Sequence, residues 1–347
     1  MTTPSSGTGA VRMGMTGIRE LLKYNRWANE RVLAACAPLS DAQLDRPFEM
    51  GLGAIRETVS HIAAAERVWL DRWIKHPAPR FRARADGLRI ADISAEMREI
   101  DAERGEFVDR LEAADFERVV AFRTRAGEEH SIWLGGLMLH VCNHGTHHRA
   151  QLLNMLKQVG VKLPKPELDY IFMHLNNADE PPVEIDVATI RTYFAYSDWA
   201  MDRVLAAAAK LDDAALDRRF DMGVGTLRQT LLHIRFAEQW WVENWTLGPE
   251  RDFPELPDNL PIADLVYRTA ETRTARNAVL ENSTDSDLMR FVEVRPAANI
   301  VKRFQINVSM LQMCCHGTHH RAQAINMLRH VGGEVPGVDV VVKLREK

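Results

Sequence analysis

The chain has 347 residues, of which 46% are hydrophobic and 27% charged, and its formal net charge is −4 at pH 7. This length is sufficient for two globular domains, each with its own core. The balanced charge argues against nucleic-acid binding through phosphate neutralisation. The sequence has no unbroken run of about 20 apolar residues, so we expect no membrane span.

The segment 1–16 is mostly small and polar, without the basic and apolar parts of a signal peptide, and it predicts a flexible tail. The cysteines are Cys36, Cys142, Cys314 and Cys315. They show neither CxxC spacing nor a disulfide framework. This pattern suits a reducing compartment, and we therefore expect a cytoplasmic protein.

Three blocks of sequence occur twice, and the offset in numbering is constant, since 196−24, 233−61 and 316−144 all equal 172. The repeated blocks are YNRWANERVL (24–33) and YSDWAMDRVL (196–205), MGLGAIRETVSHIAAAERVWLDRW (50–73) and MGVGTLRQTLLHIRFAEQWWVENW (222–245), and CNHGTHHRAQ (142–151) and CCHGTHHRAQ (314–323). A repeat of this length is a domain rather than a solenoid unit. The sequence predicts one copy at 17–175 and another at 188–347, joined by a polar, Pro-Pro-containing linker at 176–187.

Apolar residues recur at spacings of three and four in four segments of the first copy, 17–37, 54–75, 92–114 and 132–159. This periodicity predicts four amphipathic helices. Before the last helix, VVAFRT and SIWL, with their counterparts FVEVR and FQINV in the second copy, favour a short β-hairpin. The predicted fold is therefore all-α: two tandem four-helix bundles related by internal duplication, each with a short hairpin before its last helix.

The last helix of the first copy carries four histidines within nine positions. On a helical wheel, the central apolar stripe consists of Leu137, Val141, His144, His148, Met155 and Val159. His144 and His148 thus lie one turn apart on the buried face, where an unpaired ring nitrogen costs about 1–3 kcal/mol. A metal ion satisfies both rings, because neutral imidazole is a common ligand of zinc, nickel, copper and iron.

A third ligand should come from another helix and should recur in both copies. His61 recurs as His233 and lies at the flank of the apolar stripe of the second helix, from which it can turn inward. The predicted metal ligands are therefore His61, His144 and His148 at one site, and His233, His316 and His320 at the other. Three protein ligands leave one coordination position open.

Other residues near these histidines favour no specific catalytic role, and the catalytic acid and base stay unidentified. Gly145 follows the first ligand where HExxH proteases carry their general base, so that mechanism is disfavoured. Glu66 lies about 140° from His61 on the wheel and is expected to face elsewhere. Arg149 is expected on a solvated helix face, and His147 either supports the ligands or is exposed.

The cysteines and tryptophans of the repeated blocks are interpreted as core residues. Cys142 lies about 200° from the ligand direction, so we expect neither a metal ligand nor a nucleophile there or at Cys314. Trp69 and Trp73, with their counterparts in the second copy, lie on the apolar stripe of the second helix. Packing is favoured there over substrate stacking.

The blocks YNRWANERVL, RETVSHIAAAE and NHGTHHRAQ resemble the signature segments of the DinB/YfiT-like superfamily, over residues 18–175 and 190–345. The resemblance implies four-helix bundles that bind a divalent metal, zinc or nickel foremost, with iron or manganese as further options, through three histidines at the positions predicted above. It also implies that the two copies form an internal pseudo-dimer. The family's HRGQ is HRAQ here, and the second copy departs further at Gln312 and Cys315, which correspond to His140 and Asn143.

Some relatives are metal-dependent thiol transferases or a mycothiol-dependent isomerase. The resemblance therefore implies a metal-dependent transferase or hydrolase acting on a small molecule such as a low-molecular-weight thiol. The alternative is a non-catalytic stress-response or interaction protein with a structural metal, which needs a fourth ligand such as His140. We expect a small-molecule partner, no nucleic acid and no membrane, in a monomer or weak homodimer.

Overall fold

A computed structural model describes residues 13–82, 84–85, 87–124, 127–161, 168–174, 182–249, 253–297 and 300–346. The fold is mostly helical, with 65% of residues in helices. Residues 1–12 of the predicted tail and 176–181 of the predicted linker lie outside the described residues. Met13 is buried, and the first helix already begins at Met15, ahead of the predicted boundary at residue 17.

In the first half, four long helices match the four predicted segments. The elements are α1 (Met15–Cys36), α2 (Asp41–Leu44), α3 (Ile55–Trp73), α4 (Ile90–Asp109), β1 (Val119–Arg123), β2 (Glu129–Trp133) and α5 (Leu134–Gln158). The strands β1 and β2 pair antiparallel, with Val119 opposite Trp133. Short 3-10 helices at Ala113–Glu117 and Tyr170–His174 complete this half.

The second half repeats this order, with short α-helices in the places of the two 3-10 helices of the first half. Its elements are α6 (Val187–Ala208), α7 (Asp213–Leu216), α8 (Leu227–Leu247), α9 (Ile262–Glu281), α10 (Asp285–Leu288), β3 (Phe291–Ala297), β4 (Ile300–Gln305), α11 (Ile306–His330) and α12 (Val340–Arg345). Both predicted hairpins are present. The predicted strand segment FQINV is partly wrong, because β4 ends at Gln305 and Ile306 already begins α11. None of the helices in the described part of the chain is long and apolar enough to cross a bilayer.

A buried arginine joins the short second helix to the long third helix in each half. Arg56 Nε donates to Asp45 Oδ1 at 2.7 Å and the same guanidinium binds Asp41. Arg228 binds Asp217 and Asp213 in the same way. These ion pairs fix the loop that precedes α3 or α8, and so fix where each long helix starts.

The long helices of both halves pack around a single apolar core that contains residues of each half. Helix α5 packs against α1 and α3, and α4 packs against both α1 and α3. Helix α11 packs against α6 and α8, and α9 packs against the same two helices. The contacts of α3 with α5 and of α8 with α11 are the ones that bring the predicted histidines together.

One pair of oppositely charged residues on two neighbouring helices occurs in both halves, with the positive and negative residues exchanged. In the first half, Arg26 on α1 is electrostatically coupled to Asp101 on α4. At the corresponding positions of the second half, Asp198 on α6 faces Arg273 on α9, with Nε 3.0 Å from Oδ1. Because both positions have exchanged charge, the attraction between the two helices is kept in each half.

The two halves contact each other along α5 and α11 and at the starts of α1 and α6. Asn143 Nδ2 donates to Tyr196 Oη at 2.7 Å, and Thr318 Oγ1 donates to Asn143 Oδ1 at 2.8 Å. At the helix starts, Gly14 N donates to Thr189 Oγ1 at 2.8 Å. A Cβ atom on Gly17 would lie 2.4 Å from Thr189 Cγ2, so this contact requires glycine.

We predict that Gly17→Ala lowers the free energy of unfolding by about 1–3 kcal/mol, because the added methyl group overpacks the contact with Thr189. Gly105→Ala in α4 is the matched control, since a Cβ atom there meets no atom within 4 Å. The control should gain about 0.5–1 kcal/mol from helix propensity. Urea unfolding of the two variants measures both changes, and a stabilised Gly17→Ala protein would contradict the contact.

Candidate metal centre

The structure brings the three predicted histidines of the first half together. His61 projects from α3, and His144 and His148 project from successive turns of α5. One nitrogen from each ring lies within 4.8 Å of the others. His61 Nε2 and His144 Nε2 are 3.1 Å apart. All three side chains are half-buried, so the cluster, named here the first triad, is accessible from solvent.

The second half repeats this geometry with His233 from α8 and with His316 and His320 from α11, named here the second triad. His233 Nε2 lies 3.1 Å from His316 Nε2. The ring centroids are 4.4–4.9 Å apart, against 4.4–5.0 Å in the first triad. The two triads are therefore built alike, by helices at equivalent positions of the two halves.

The nitrogen spacing fits a single metal ion. Nitrogens bound at about 2.0–2.1 Å around a tetrahedral zinc ion are about 3.3 Å apart. The 3.1 Å separation of Nε2 atoms in each half is close to this value. Imidazole donors suit zinc, nickel, copper and iron, so the donor set leaves the identity of the metal undetermined.

A glutamine one turn after the second ligand of α5 fixes the orientation of that ligand's ring. His148 Nδ1 donates to Gln151 Oε1 at 2.7 Å, which leaves the Nε2 lone pair free to face the centre of the triad. Gln151 Nε2 donates to His147 Nε2 at 3.1 Å, so His147 supports the ligands through the glutamine. Gln323 makes the same two contacts with His320 and His319.

The loop before the third helix packs directly on this glutamine. Gly51 has φ of 56°, in the left-handed region that favours glycine. A Cβ atom there would lie 3.1 Å from Gln151 Oε1. Gly223 has φ of 55° and faces Gln323 at 3.0 Å in the same way. The repeated MGLG and MGVG segments therefore hold the glutamine that orients the ligand.

Burial keeps the triad histidines of α5 and α11 neutral. It lowers the pKa of His144 and His148 well below the ordinary histidine value, and the neighbouring histidines lower it further. His316 and His320 are affected in the same way. Burial also lowers the pKa of His147 to about 4. At neutral pH these rings are uncharged and their lone pairs can bind a cation without first losing a proton.

His140, the candidate fourth ligand of the structural-metal alternative, lies outside the first triad. Its Nδ1 atom is 2.6 Å from Asp339 Oδ1, and its ring packs 5.0 Å from Trp69. Gln312 occupies the corresponding place in the second half, where its Oε1 atom accepts from Ile171 N at 2.9 Å. Among the described residues, each metal-ligand cluster therefore contains three side chains and no fourth.

Arg149 is buried, so its expected place on a solvated helix face is wrong. It is 2% exposed and its Nη1 atom donates to Asn25 Oδ1 at 2.6 Å and Asn29 Oδ1 at 2.7 Å. The same two asparagines donate to Glu66 Oε1, and Glu66 is also bound by Arg104. Glu66 thus faces away from the triad, as expected, and serves a buried polar network between α1, α3, α4 and α5.

The cysteines and most of the repeated tryptophans are core residues. All four cysteines are buried, and none belongs to a metal-ligand cluster of the described residues. Trp69, Trp73 and Trp241 are at most 8% exposed. Trp245 is half-buried, and its Nε1 atom donates to Ser309 Oγ at 2.9 Å.

We predict that Gln151→Leu weakens metal binding at the first triad by about 10–100-fold, because the His148 ring loses the acceptor that orients it. Competition with a chromophoric chelator measures the affinity. Gln158→Leu changes a glutamine in the same helix away from the ligands, so it should leave the affinity unchanged. Equal effects of the two substitutions would show that Gln151 does not position the ligand.

We predict that native protein gives almost no reaction with a thiol reagent at pH 8. Burial raises the pKa of Cys36, Cys142 and Cys315 to about 12 and that of Cys314 well above its ordinary value. Since pH 8 lies four units below 12, the thiolate fraction is on the order of 10⁻⁴. Four thiols per chain should react once guanidinium unfolds the protein. A rapidly reacting thiol in the native protein would show that one cysteine is accessible.

The chain matches one family model twice. The model of the DinB family covers residues 13–186 and residues 173–347, so the two matches together span both halves. No curated protein matches the chain. With the whole of both halves matched, the protein belongs to the DinB family, in a tandem two-copy arrangement.

Proposed function

We propose that the protein binds one divalent metal ion at each histidine triad and uses it in a reaction on a small molecule. The observation that carries the proposal is the convergence of three imidazoles, with nitrogens within 4.8 Å, in both halves of the chain. Three ligands and no fourth described side chain leave a coordination position for substrate. The family resemblance favours zinc or nickel, with iron or manganese as alternatives, whereas the imidazole donors alone do not select among several divalent metals.

We further propose that each half is a four-helix bundle, at 17–175 and 188–347, that the two bundles arose by duplication, and that they form an internal pseudo-dimer. The constant offset between matched blocks and the repeated order of helices support this proposal. The contacts of α5 with α11 support the pseudo-dimer.

Each side chain of the first triad and the glutamine beside it has a distinct role in this proposal. His61, His144 and His148 hold the cation, and Gln151 keeps the His148 ring in its binding orientation. A bound divalent metal lowers the pKa of a ligated thiol or water and polarises a carbonyl group. Because the triad side chains are only half-buried, a small molecule can reach the open position from solvent.

The substrate class that we propose is a low-molecular-weight thiol, so that the reaction is a thiol transfer or a related transfer or hydrolysis. A thiolate is a good ligand for zinc and nickel and becomes the nucleophile once it is deprotonated. The burial of all four cysteines argues that the sulfur comes from the substrate rather than from the protein.

The alternative function is a non-catalytic stress-response or interaction protein whose metal is structural. Structural sites are closed by four protein ligands. The position of His140 argues against this alternative, because the metal-ligand cluster of the described residues in the first half contains His61, His144 and His148 and not His140. Binding of a small thiol to the metal distinguishes the two functions.

We predict two metal ions per purified wild-type chain, one in His148→Ala, one in His320→Ala, and none in the double variant. Elemental analysis by mass spectrometry measures the content, with circular dichroism to verify folding. Each substitution removes one of three ligands, which leaves too few donors to hold the ion during purification. An unchanged content in both single variants would overturn the assignment of the triads.

The proposed catalytic function is tested on the cobalt-substituted protein with 2-mercaptoethanol as the probe. An open position should give a sulfur-to-cobalt charge-transfer band when the thiol is added. Absence of this band at saturating thiol, in protein with full cobalt content, would favour the structural alternative.

A further inference from the structure

A phenylalanine lies beside the second triad, in the segment between α8 and α9. The centroid of the Phe253 ring is 5.9 Å from that of His233, a triad ligand, and 6.2 Å from that of Trp240. His233 and Trp240 are seven residues apart on α8, so they lie two turns apart on one face of the helix. The Phe253 ring therefore lies along the face of α8 that supplies a ligand to the second triad.

The Phe253 ring is 38% exposed, whereas its neighbour Trp240 is only 6% exposed. Single exposed apolar rings are common on protein surfaces, but this ring lies next to a ligand of a half-buried histidine cluster. An apolar group that covers the ring gains free energy, because both apolar surfaces leave water. Phe253 thus provides an apolar contact surface beside the second triad.

The first half has a phenylalanine at the same place in its sequence. Phe81 precedes Phe253 by 172 residues, which is the offset of the repeated blocks, and its ring is 52% exposed. The sequences that end at these residues are HPAPRF (76–81) and GPERDF (248–253), in which four of six positions differ. Retention of an exposed ring where neighbouring residues have changed favours contact with a bound molecule over packing in the core.

A difference next to these phenylalanines indicates the charge of that molecule in the second half. The Arg72 guanidinium lies 5.6 Å from the centroid of the Phe81 ring, within range of a cation–π interaction. The corresponding residue of the second half is Asn244, whose Nδ2 atom donates to Trp240 O at 2.7 Å. An uncharged amide thus replaces the cation of the first half, so the surface at Phe253 suits an uncharged apolar group.

A thiol bound at the second triad brings its substituent close to this surface. His233 Nε2, which is 3.1 Å from His316 Nε2, is the atom of His233 placed to bind the ion. Zinc binds a thiolate sulfur at about 2.3 Å and an imidazole nitrogen at about 2.0–2.1 Å. A group joined to the sulfur by a single carbon atom therefore lies within a few ångströms of the ligand rings, and Phe253 is within the same range of His233. One small molecule can thus bind the metal and contact Phe253.

Building on the metal-binding function proposed above, we propose that Phe253 is a specificity-determining residue of the second triad, and that the thiol bound there carries an uncharged aromatic group. The sulfur loses its proton to solvent and occupies the open coordination position, while the aromatic group packs against the Phe253 ring. Aromatic pairs of this kind are favourable beyond the area that they bury. Phe253 contributes to the affinity for the thiol and not to the affinity for the metal.

The experiment uses full-length His148→Ala protein loaded with cobalt, in which only the second triad has all its ligands. The probes are phenylmethanethiol, which has an aromatic ring, and 2-mercaptoethanol, which has none. The sulfur-to-cobalt charge-transfer band measures the affinity for each. Adding Phe253→Ala should weaken binding of phenylmethanethiol on the order of tenfold, because the ring contact is lost, and should change binding of 2-mercaptoethanol by less than about twofold.

Three controls separate the ring contact from other effects. Phe291→Ala removes another exposed ring of the second half, which lies beneath the Arg303 guanidinium, and it should change neither thiol affinity. Phe253→Tyr keeps the aromatic ring and should retain most of the affinity for phenylmethanethiol. In His320→Ala protein, where only the first triad has all its ligands, Phe253→Ala should leave both affinities unchanged. Cobalt content and circular dichroism verify the triad and the fold of each variant.

The outcomes distinguish this proposal from the function on which it rests. A Phe253→Ala effect that is absent, or that is equal for the two thiols, would overturn the role of Phe253 while leaving the open metal site intact. If cobalt-loaded His148→Ala protein gives no charge-transfer band with either thiol, the open position and the aromatic contact are both rejected. Failure of the wild-type protein to bind cobalt would reject the metal-binding function itself.

Discussion

The molecule depends on the requirement that imidazole nitrogens inside a helical core have a partner. Three such nitrogens converge in each half, and burial lowers the pKa values of His144 and His148 so that proton binding cannot satisfy them near neutral pH. A divalent cation is the partner that the geometry accommodates. The surrounding parts serve this arrangement: Gln151 orients one ring, Gly51 allows its loop to pack on that glutamine, and the Arg56 ion pairs fix the start of α3.

The chain contains two copies of the family's sequence, so the same arrangement of histidines occurs twice, and differences between the halves make them non-interchangeable. The exchange of charge between Arg26 and Asp101 on one side and Asp198 and Arg273 on the other keeps an attraction while altering both residues. Gly17 is small where its counterpart Thr189 is large, so the two helix starts fit each other. The fit of Gly17 against Thr189 favours pairing of one half with the other over pairing of identical halves, whereas the exchanged ion pairs lie within each half.

The surroundings of the two triads differ where one half reaches the other. In the first half His140 contacts Asp339, whereas in the second half Gln312 accepts from the backbone of Ile171. A substitution in one copy of a tandem chain leaves the other copy unchanged, so the two sites can diverge while their histidines stay alike.

The helices, the hairpins and the triads could be read from the sequence, because helical periodicity and the constant offset between the repeated blocks report which residues share a face and which recur. The spacing of Gln151 also indicates its role, because it lies about one helical turn after His148 on the same face. The predicted exposure of Arg149 is wrong because a helical wheel shows only the direction of a side chain. It does not show that Asn25 and Asn29 of another helix accept hydrogen bonds from the guanidinium. The contact of Asp339 with His140 forms because α12, which follows Asp339, packs on α5 of the first half. The pattern of apolar residues along a helix does not show which distant segment will pack on it. Sequence by itself thus determined the two groups of histidines and the repeat, through periodicity and spacing, whereas tertiary packing alone decided which side chains surround each triad, because those side chains come from residues distant in the chain.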